Sequence, residues 1–266
     1  MRRSAFFLSE AAIVFVRFLQ GVTVAGSLLP AVLVLVLSFS DESILYFPPH
    51  SWGLSLYRMV LSSPLWLSAL GVSFKVGLCA AALALAIASP AAYAIARRDD
   101  LFSRCCEYLS LGPMIIPLTS YAVGLYFVFV KLQLIGSLLG LVLVHAVLAL
   151  PVTIIALLTM LRRIPKDYEL IAMSLGATRS RAIAGITARL LLPAFGAAFI
   201  FAFLTSFDDA VLVSFLGGPG VNTVSKAIFE SMQFSLDPSI AAISAILMIA
   251  TGLLVTAASL LRRPLQ

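Results

Sequence analysis

ELIAMSLGATRSRAIAGITARLLLP, residues 169–193, is the longest polar interruption on the basic side of a chain that otherwise reads as membrane. The whole segment between the flanking apolar runs covers residues 161–189. A loop of that length inside a compact domain is usually functional. Pro165 suits a helix start, and Asp167 and Glu169 fall in the following turn, where acids favour a helix N-terminus. Tyr168 to Leu175 is helix-compatible. Gly176 then ends or bends that helix, because glycine takes a left-handed conformation at little cost. Thr178 is placed to cap a second helix from Arg179 onward. The spacing predicts a helix, a tight turn and a second helix entering an apolar span near Leu190, with Ala172, Leu175 and Ala177 as a small apolar knob. On spacing alone the loop is either a docking element or a solvated linker.

The rest of the chain sets the context. Of its 266 residues 61% are apolar and 11% charged, with a mean hydropathy of +1.08. Soluble domains carry roughly 25% charged residues, so lipid is the main solvent here. A spanning helix needs about 20 mostly apolar residues. Six runs qualify, near 18–38, 67–96, 108–130, 138–160, 190–215 and 239–261. Pro30 is expected to bend the first, and Pro113 and Pro117 to break the third. Residues 41–64 read as a polar and aromatic loop, with Tyr57 and Trp66 suited to an interfacial belt. The expectation is an all-α polytopic membrane protein, one domain over residues 1–266, with about six transmembrane helices.

Charge then orients it. Six spans put both termini on one side. That side collects fourteen Lys/Arg: Arg2, Arg3, Arg17, Arg97, Arg98, Arg104, Arg162, Arg163, Lys166, Arg179, Arg181, Arg189, Arg262 and Arg263. The other side holds three, Arg58, Lys131 and Lys226, and Lys75 lies in a span. The positive-inside rule places both termini and the long loop in the cytoplasm. The net charge of +6 is thus topogenic and gives no reason to expect nucleic acid.

Other chemistry is sparse. The three cysteines, Cys79, Cys105 and Cys106, form no C-x-x-C pair, so neither a disulfide framework nor a zinc site is indicated. No Ser/His/Asp set and no H-E-x-x-H occurs, so no catalysis and no metal site is expected. No G-x-x-x-x-G-K-[ST] loop is present to cradle ATP phosphates. His145, inside the fourth span, reads as a packed, hydrogen-bonded helix residue rather than a ligand. Asp208 and Asp209, late in the fifth span, are candidates for a substrate path, because acids in spans usually face an interior or a cavity. They equally suit an interfacial position. Tyr121 in the third span is a further candidate, through a cation–π contact with an amine.

Aligned on Gly176, the long loop resembles the EAA loop of bacterial ABC importer permeases: E-A-A-x-x-x-G, then nine residues, then I-x-L-P. Here Leu170-Ile171-Ala172 stand at E-A-A, followed by Leu175-Gly176-Ala177, with Ile186 at the isoleucine. Ser206-Phe207-Asp208-Asp209, Ser214-Phe215 and Gly218-Pro219 look like the PotC-like spermidine/putrescine permease branch. The resemblance implies a coupling loop, comprising Glu169, Leu170, Ile171, Ala172, Leu175, Gly176, Ala177 and Ile186, that inserts into a cytoplasmic ABC ATPase dimer. It also implies a second homologous permease subunit and an extracytoplasmic solute-binding protein. ATP and Mg would be bound by the partner ATPase, with no cofactor in this chain, and the site of action would be the bacterial cytoplasmic (inner) membrane. The solute implied is a polyamine or a related cationic or amino compound. The alternative is a stand-alone secondary transporter or channel, though no internal repeat between the chain's halves supports one. Two departures stand out. Leu170 replaces the family glutamate, with Glu169 one place early and about 100° away around a helix. Ala188-Arg189 replace the L-P, with Pro193 four residues on. The expectation is therefore that coupling rests on the Ala172–Gly176–Ala177 turn and not on a salt bridge.

Overall fold

The computed structural model describes the backbone of residues 2–234 and 237–261 and the side chains of residues 13–234 and 237–256. Arg262 and Arg263, expected to close the sixth span, lie outside the described residues. All regular secondary structure among the described residues is helical, apart from an isolated bridge between Ser40 and Trp52. The helices are α1 (Arg2–Ser38), α2 (Ser55–Ser62), α3 (Pro64–Arg97), α4 (Leu101–Ser110), α5 (Gly112–Ile115), α6 (Leu118–Lys131) and α7 (Leu138–Leu161). They continue as α8 (Asp167–Ser174), α9 (Arg179–Ala182), a π-helical turn (Ile183–Thr187), α10 (Ala188–Phe207), α11 (Val211–Leu216), α12 (Val224–Phe234) and α13 (Ser239–Leu261).

Five stretches among the described residues are long and apolar enough to cross a membrane: Ile13–Ser38, Pro64–Arg97, Leu138–Leu161, Arg179–Phe207 and Ser239–Thr256. Hydrocarbon offers no partner for backbone N–H and C=O groups, so a helix that satisfies its own is the natural span. The expected third span, 108–130, is instead three helices, and α6 has only 14 residues. That is about 21 Å of helix against a hydrocarbon core of about 30 Å. Proline is the cause. Pro113 starts α5, and Ile116, the residue before Pro117, is driven to extended backbone at ψ 129°. The fifth span also differs: α10 stops at Phe207, and Asp208–Ala210 separate it from α11. Two helices fall where loops were expected, α2 and α12.

By its internal packing the chain divides into two compact units. The first holds Met1–Ser63 and Leu236–Ala250. Its polar loop is fastened by carboxylates: Asp41 accepts the Ser55 N–H at 3.0 Å, and Glu42 Oε1 accepts the His50 and Ser51 N–H groups at 2.8 and 3.0 Å. Tyr57 is tied to Ser38, their hydroxyls 2.7 Å apart.

The second unit holds Pro64–Ser235 and Thr251–Gln266 and is built on α3, α7 and α10. Trp66 of α3, expected at an interface, is fully buried. The contact face of α3 is a run of small buried residues, Ala69, Ser73, Gly77, Ala80, Ala81, Ala84, Ala88 and Ala92. Small side chains let helices approach closely where lipid supplies no hydrophobic drive. At Gly77 a Cβ would stand 2.9 Å from two Phe203 ring carbons, so the α10 aromatic ring closes on bare backbone there. The core is layered. Ala88, Ala92, Ile95, Leu157, Leu161 and Leu191 pack at one end, Ala80, Ala84, Ala146, Ala149 and Ala202 follow, and Leu141, Val144, Leu212 and Leu216 pack beyond.

Candidate functional site

The turn after α8 is made by its residue types. Gly176 has φ +94°, the left-handed region where a Cβ is disfavoured. Its N–H bonds the Met173 carbonyl at 3.0 Å, and the Ala177 N–H bonds the Ala172 carbonyl at 3.0 Å. This pair of bonds is the Schellman closure, which satisfies carbonyls at the end of α8. Thr178 then caps α9, its hydroxyl accepting the Arg181 N–H at 3.4 Å, as the sequence predicts. Among the described residues nothing lies within 4 Å of a Cβ built on Gly176. A side chain there meets backbone strain, not a clash, at a cost of about 1–2 kcal/mol. Gly176→Val is therefore expected to fray the turn while leaving membrane insertion intact, and Gly176→Asn to fray it less. Hydrogen exchange of the 173–178 amides checks this: unchanged protection in Gly176→Val would contradict it.

The inner face of α8 carries a buried carboxylate. Glu169 is 8% exposed. Its Oε1 receives Arg97 Nη2 at 2.7 Å and Nε at 3.1 Å, together with the Thr187 hydroxyl. Its Oε2 accepts the Tyr93 hydroxyl at 2.6 Å. Arg97 also donates from Nη1 to the Ile164 carbonyl at 3.0 Å, and Lys166 Nζ donates to the Arg97 carbonyl at 3.2 Å. Arg97 lies over the Tyr93 ring, 5.6 Å from its centroid. One carboxylate therefore binds the end of α3, the start of α8 and the π-helical turn that leads into α10. Burial pushes the Glu169 carboxyl up, but the hydrogen bonds from Thr187, Tyr93 and Arg97 and the arginine's charge outweigh that and hold it below the usual range. It is ionised at neutral pH.

This corrects the expectation that the loop has no salt bridge to rely on. The 100° step is real, but it turns Glu169 toward the helix bundle and Leu170 away from it. The π-helical turn matters for the same reason. It is a wide turn of five residues whose last, Thr187, is buried against the carboxylate. By sequence Arg97 is one topogenic charge among many, and no local signal in the chain pairs it with Glu169.

The outer face of the same element is apolar and open. Tyr168, Leu170, Ile171 and Met173 are exposed, and Leu175, just before the glycine, is 85% exposed. Ala172, Ala177 and Ile186 are half-buried. A second ion pair nearby joins α4 to the segment after α7, Arg162 Nη2 lying 2.6 Å from Glu107 Oε2.

The substrate-path candidates separate. Asp208 is exposed, whereas Asp209 is buried and paired with His145 at 3.2 Å. Tyr121 is half-buried against the layer of Ala122, Leu141 and Leu212, and is not a hydrogen-bond partner of Asp209. Among the described residues no three His, Cys, Asp or Glu side chains come together as metal ligands.

A family model described as "Binding-protein-dependent transport system inner membrane component" matches residues 80–263. The chain is 26% identical over 231 residues to the putrescine transport system permease protein PotI of Escherichia coli K12, covering 84% of this chain and 82% of that one. It is 31% identical over 214 residues to the sulfoquinovosyl glycerol transport system permease protein SmoH of Agrobacterium fabrum, covering 78% and 75%. Among solved structures, a chain of a bacterial ABC transporter involved in the import of the acidic polysaccharide alginate superposes with a TM-score of 0.66. That match is 15% identical and covers 92% of this chain and 94% of the other.

Proposed function

The chain belongs to the family of binding-protein-dependent transport system inner membrane components, and from that membership we propose that its braced α8 turn is the element that docks on an ABC ATPase. It is a multi-pass permease subunit of an ABC importer and not itself an enzyme; ATP hydrolysis belongs to a partner ATPase. Membership favours this over a stand-alone transporter or channel. The observation that carries the docking reading is the two-sidedness of α8. Its inner face is fixed by a buried, charge-assisted network at Glu169. Its outer face offers Leu170, Ile171, Met173 and Leu175 with nothing covering them. A short apolar ridge on a rigid mount suits insertion into a groove on a soluble partner. Fourteen basic residues on the loop's side support a cytoplasmic position for it and for both termini.

Movement of the docked turn passes to the bundle along three routes. One is the direct connection of α8 to α7 through Arg162–Lys166. The second is the π-helical turn into α10, and the third is the Glu169 brace to Arg97 and Tyr93 of α3. Closure of an ATPase pair around ATP and Mg thereby rocks α3, α7 and α10 between inward- and outward-facing states, beside a second permease subunit and below an extracytoplasmic binding protein.

The solute we propose is a small cationic amine of the polyamine class. Support comes from the break after α10: the negative end of a 20-residue helix and the exposed Asp208 both favour a cation. A sugar derivative is the second reading, supported by the 31% identity to the sulfoquinovosyl glycerol permease. The test is uptake by proteoliposomes holding the complete importer, with labelled putrescine and labelled sulfoquinovosyl glycerol offered separately. ATP-dependent putrescine uptake that falls in Asp208→Asn supports the amine. Uptake of the glycoside alone overturns it.

A further inference from the structure

A second polar cluster is enclosed in the apolar interior of the α3–α7–α10 unit. His145, on α7, is fully buried. Its Nε2 lies 3.2 Å from Asp209 Oδ2 and its Nδ1 lies 3.0 Å from Ser206 Oγ. Each ring nitrogen thus has one hydrogen-bond partner, a carboxylate oxygen at one edge and a hydroxyl at the other. Asp209 Oδ2 also takes the Leu212 backbone N–H at 3.0 Å. One side chain of α7 thus grips both edges of the interruption in the fifth span. Ser206 is in the last turn of α10, and Asp209 stands two residues before α11.

The cluster is a poor device for stability. Asp209 Oδ1 is buried with no hydrogen-bond partner among the described residues. Ionisable groups within spans are costly, and well-packed apolar residues would join these helices at least as firmly. What apolar packing lacks is direction. Two hydrogen bonds from opposite edges of one imidazole set the rotation and height of the break relative to α7, where apolar contacts would let it slide.

We propose that His145 is a positioning residue of the transport cycle: its two hydrogen bonds, to Ser206 and Asp209, lock the Asp208–Ala210 break to α7. In consequence α7, α10 and α11 move as one body, and a displacement entering at the α8 turn reaches Asp208. The inference rests on α8 being the ATP-driven lever and not on the identity of the solute.

The experiment reads position 208 directly. Asp208→Cys is introduced into a chain whose Cys79, Cys105 and Cys106 are replaced by serine, and the complete importer is labelled with a maleimide before and after vanadate trapping of nucleotide. With His145 present, trapping is expected to change the labelling rate by about tenfold, within the range of ordinary allosteric couplings. In His145→Leu the change is expected to shrink below about twofold, although nucleotide is still trapped. His145→Gln, whose amide both donates and accepts, restores the response. Ser206→Ala removes one hydrogen bond without leaving a buried charge unpaired, and is expected to fall between. A full response in both His145→Leu and Ser206→Ala overturns the proposal. Loss of trapping together with the response in both variants overturns it as well, in favour of a role in assembly. No response with His145 present overturns the lever reading, and the proposal with it.

Discussion

Glu169→Ala is expected to free α8 from the bundle and to reduce ATP-driven uptake by more than tenfold while the spans still insert. The reason is the charge left behind. The Arg97 side chain is 9% exposed, and its guanidinium spends two of its contacts on Glu169 Oε1. Without the carboxylate it becomes a buried cation that keeps the Ile164 carbonyl and its place over the Tyr93 ring but has no anion beside it. Removing one partner of a buried pair costs about 3–5 kcal/mol, far more than the pair's net worth against an apolar substitute. That asymmetry supplies a second arm. Glu169→Leu combined with Arg97→Met leaves no stranded charge and is expected to recover local stability. It cannot restore the bonds to Tyr93 and Thr187, so α8 stays less precisely fixed. Hydrogen exchange over residues 167–187 measures the brace, and uptake per ATP hydrolysed measures its use. Wild-type exchange in Glu169→Ala would show that the network holds nothing.

Leu175→Asp is expected to have the largest effect on assembly with almost none on the fold. The side chain is 85% exposed, so no intramolecular packing is lost. In a docked complex the change forfeits the burial of a leucine, about 1.5–3 kcal/mol, and adds the cost of a desolvated carboxylate. Together these weaken association by at least about a hundredfold. Pull-down of the ATPase from detergent-solubilised membranes checks it. The variant permease is expected at normal abundance in the membrane and without its partner. Retention of the ATPase at wild-type level would move the docking surface elsewhere.

Different features of the molecule were legible in the sequence to different degrees, for physical reasons. The unbroken spanning helices announce themselves, because each must be long and apolar by itself, whereas the breaks near Pro113, Pro117 and Asp208 leave the apolar pattern intact and do not show in it. The glycine turn was equally plain, since Gly176 and Thr178 do local work that needs no knowledge of the rest. The Glu169 brace was hidden. Its partners Arg97 and Tyr93 stand 72 and 76 positions away, and only the packing of α3 against α7 and α10 brings them together. The rotation of Glu169 relative to Leu170 was derivable, but its meaning depends on which side of α8 the bundle occupies. His145 shows the same limit. Its reading as a buried, hydrogen-bonded residue holds, yet nothing local links it to Asp209, 64 positions on. Asp208 and Asp209 are neighbours that read as a pair. The helix break sends one to the surface and the other to the histidine.

The most direct test of the lever is a cross-link from its tip. With Leu175→Cys as this chain's single cysteine, a maleimide–benzophenone reagent coupled to it and irradiated in membranes holding the complete importer is expected to join this chain to the ATPase subunit. Disrupting the brace by Glu169→Ala is expected to weaken that product sharply. Free reaction of position 175 with soluble maleimide, and no ATPase adduct in any nucleotide state, would contradict the account.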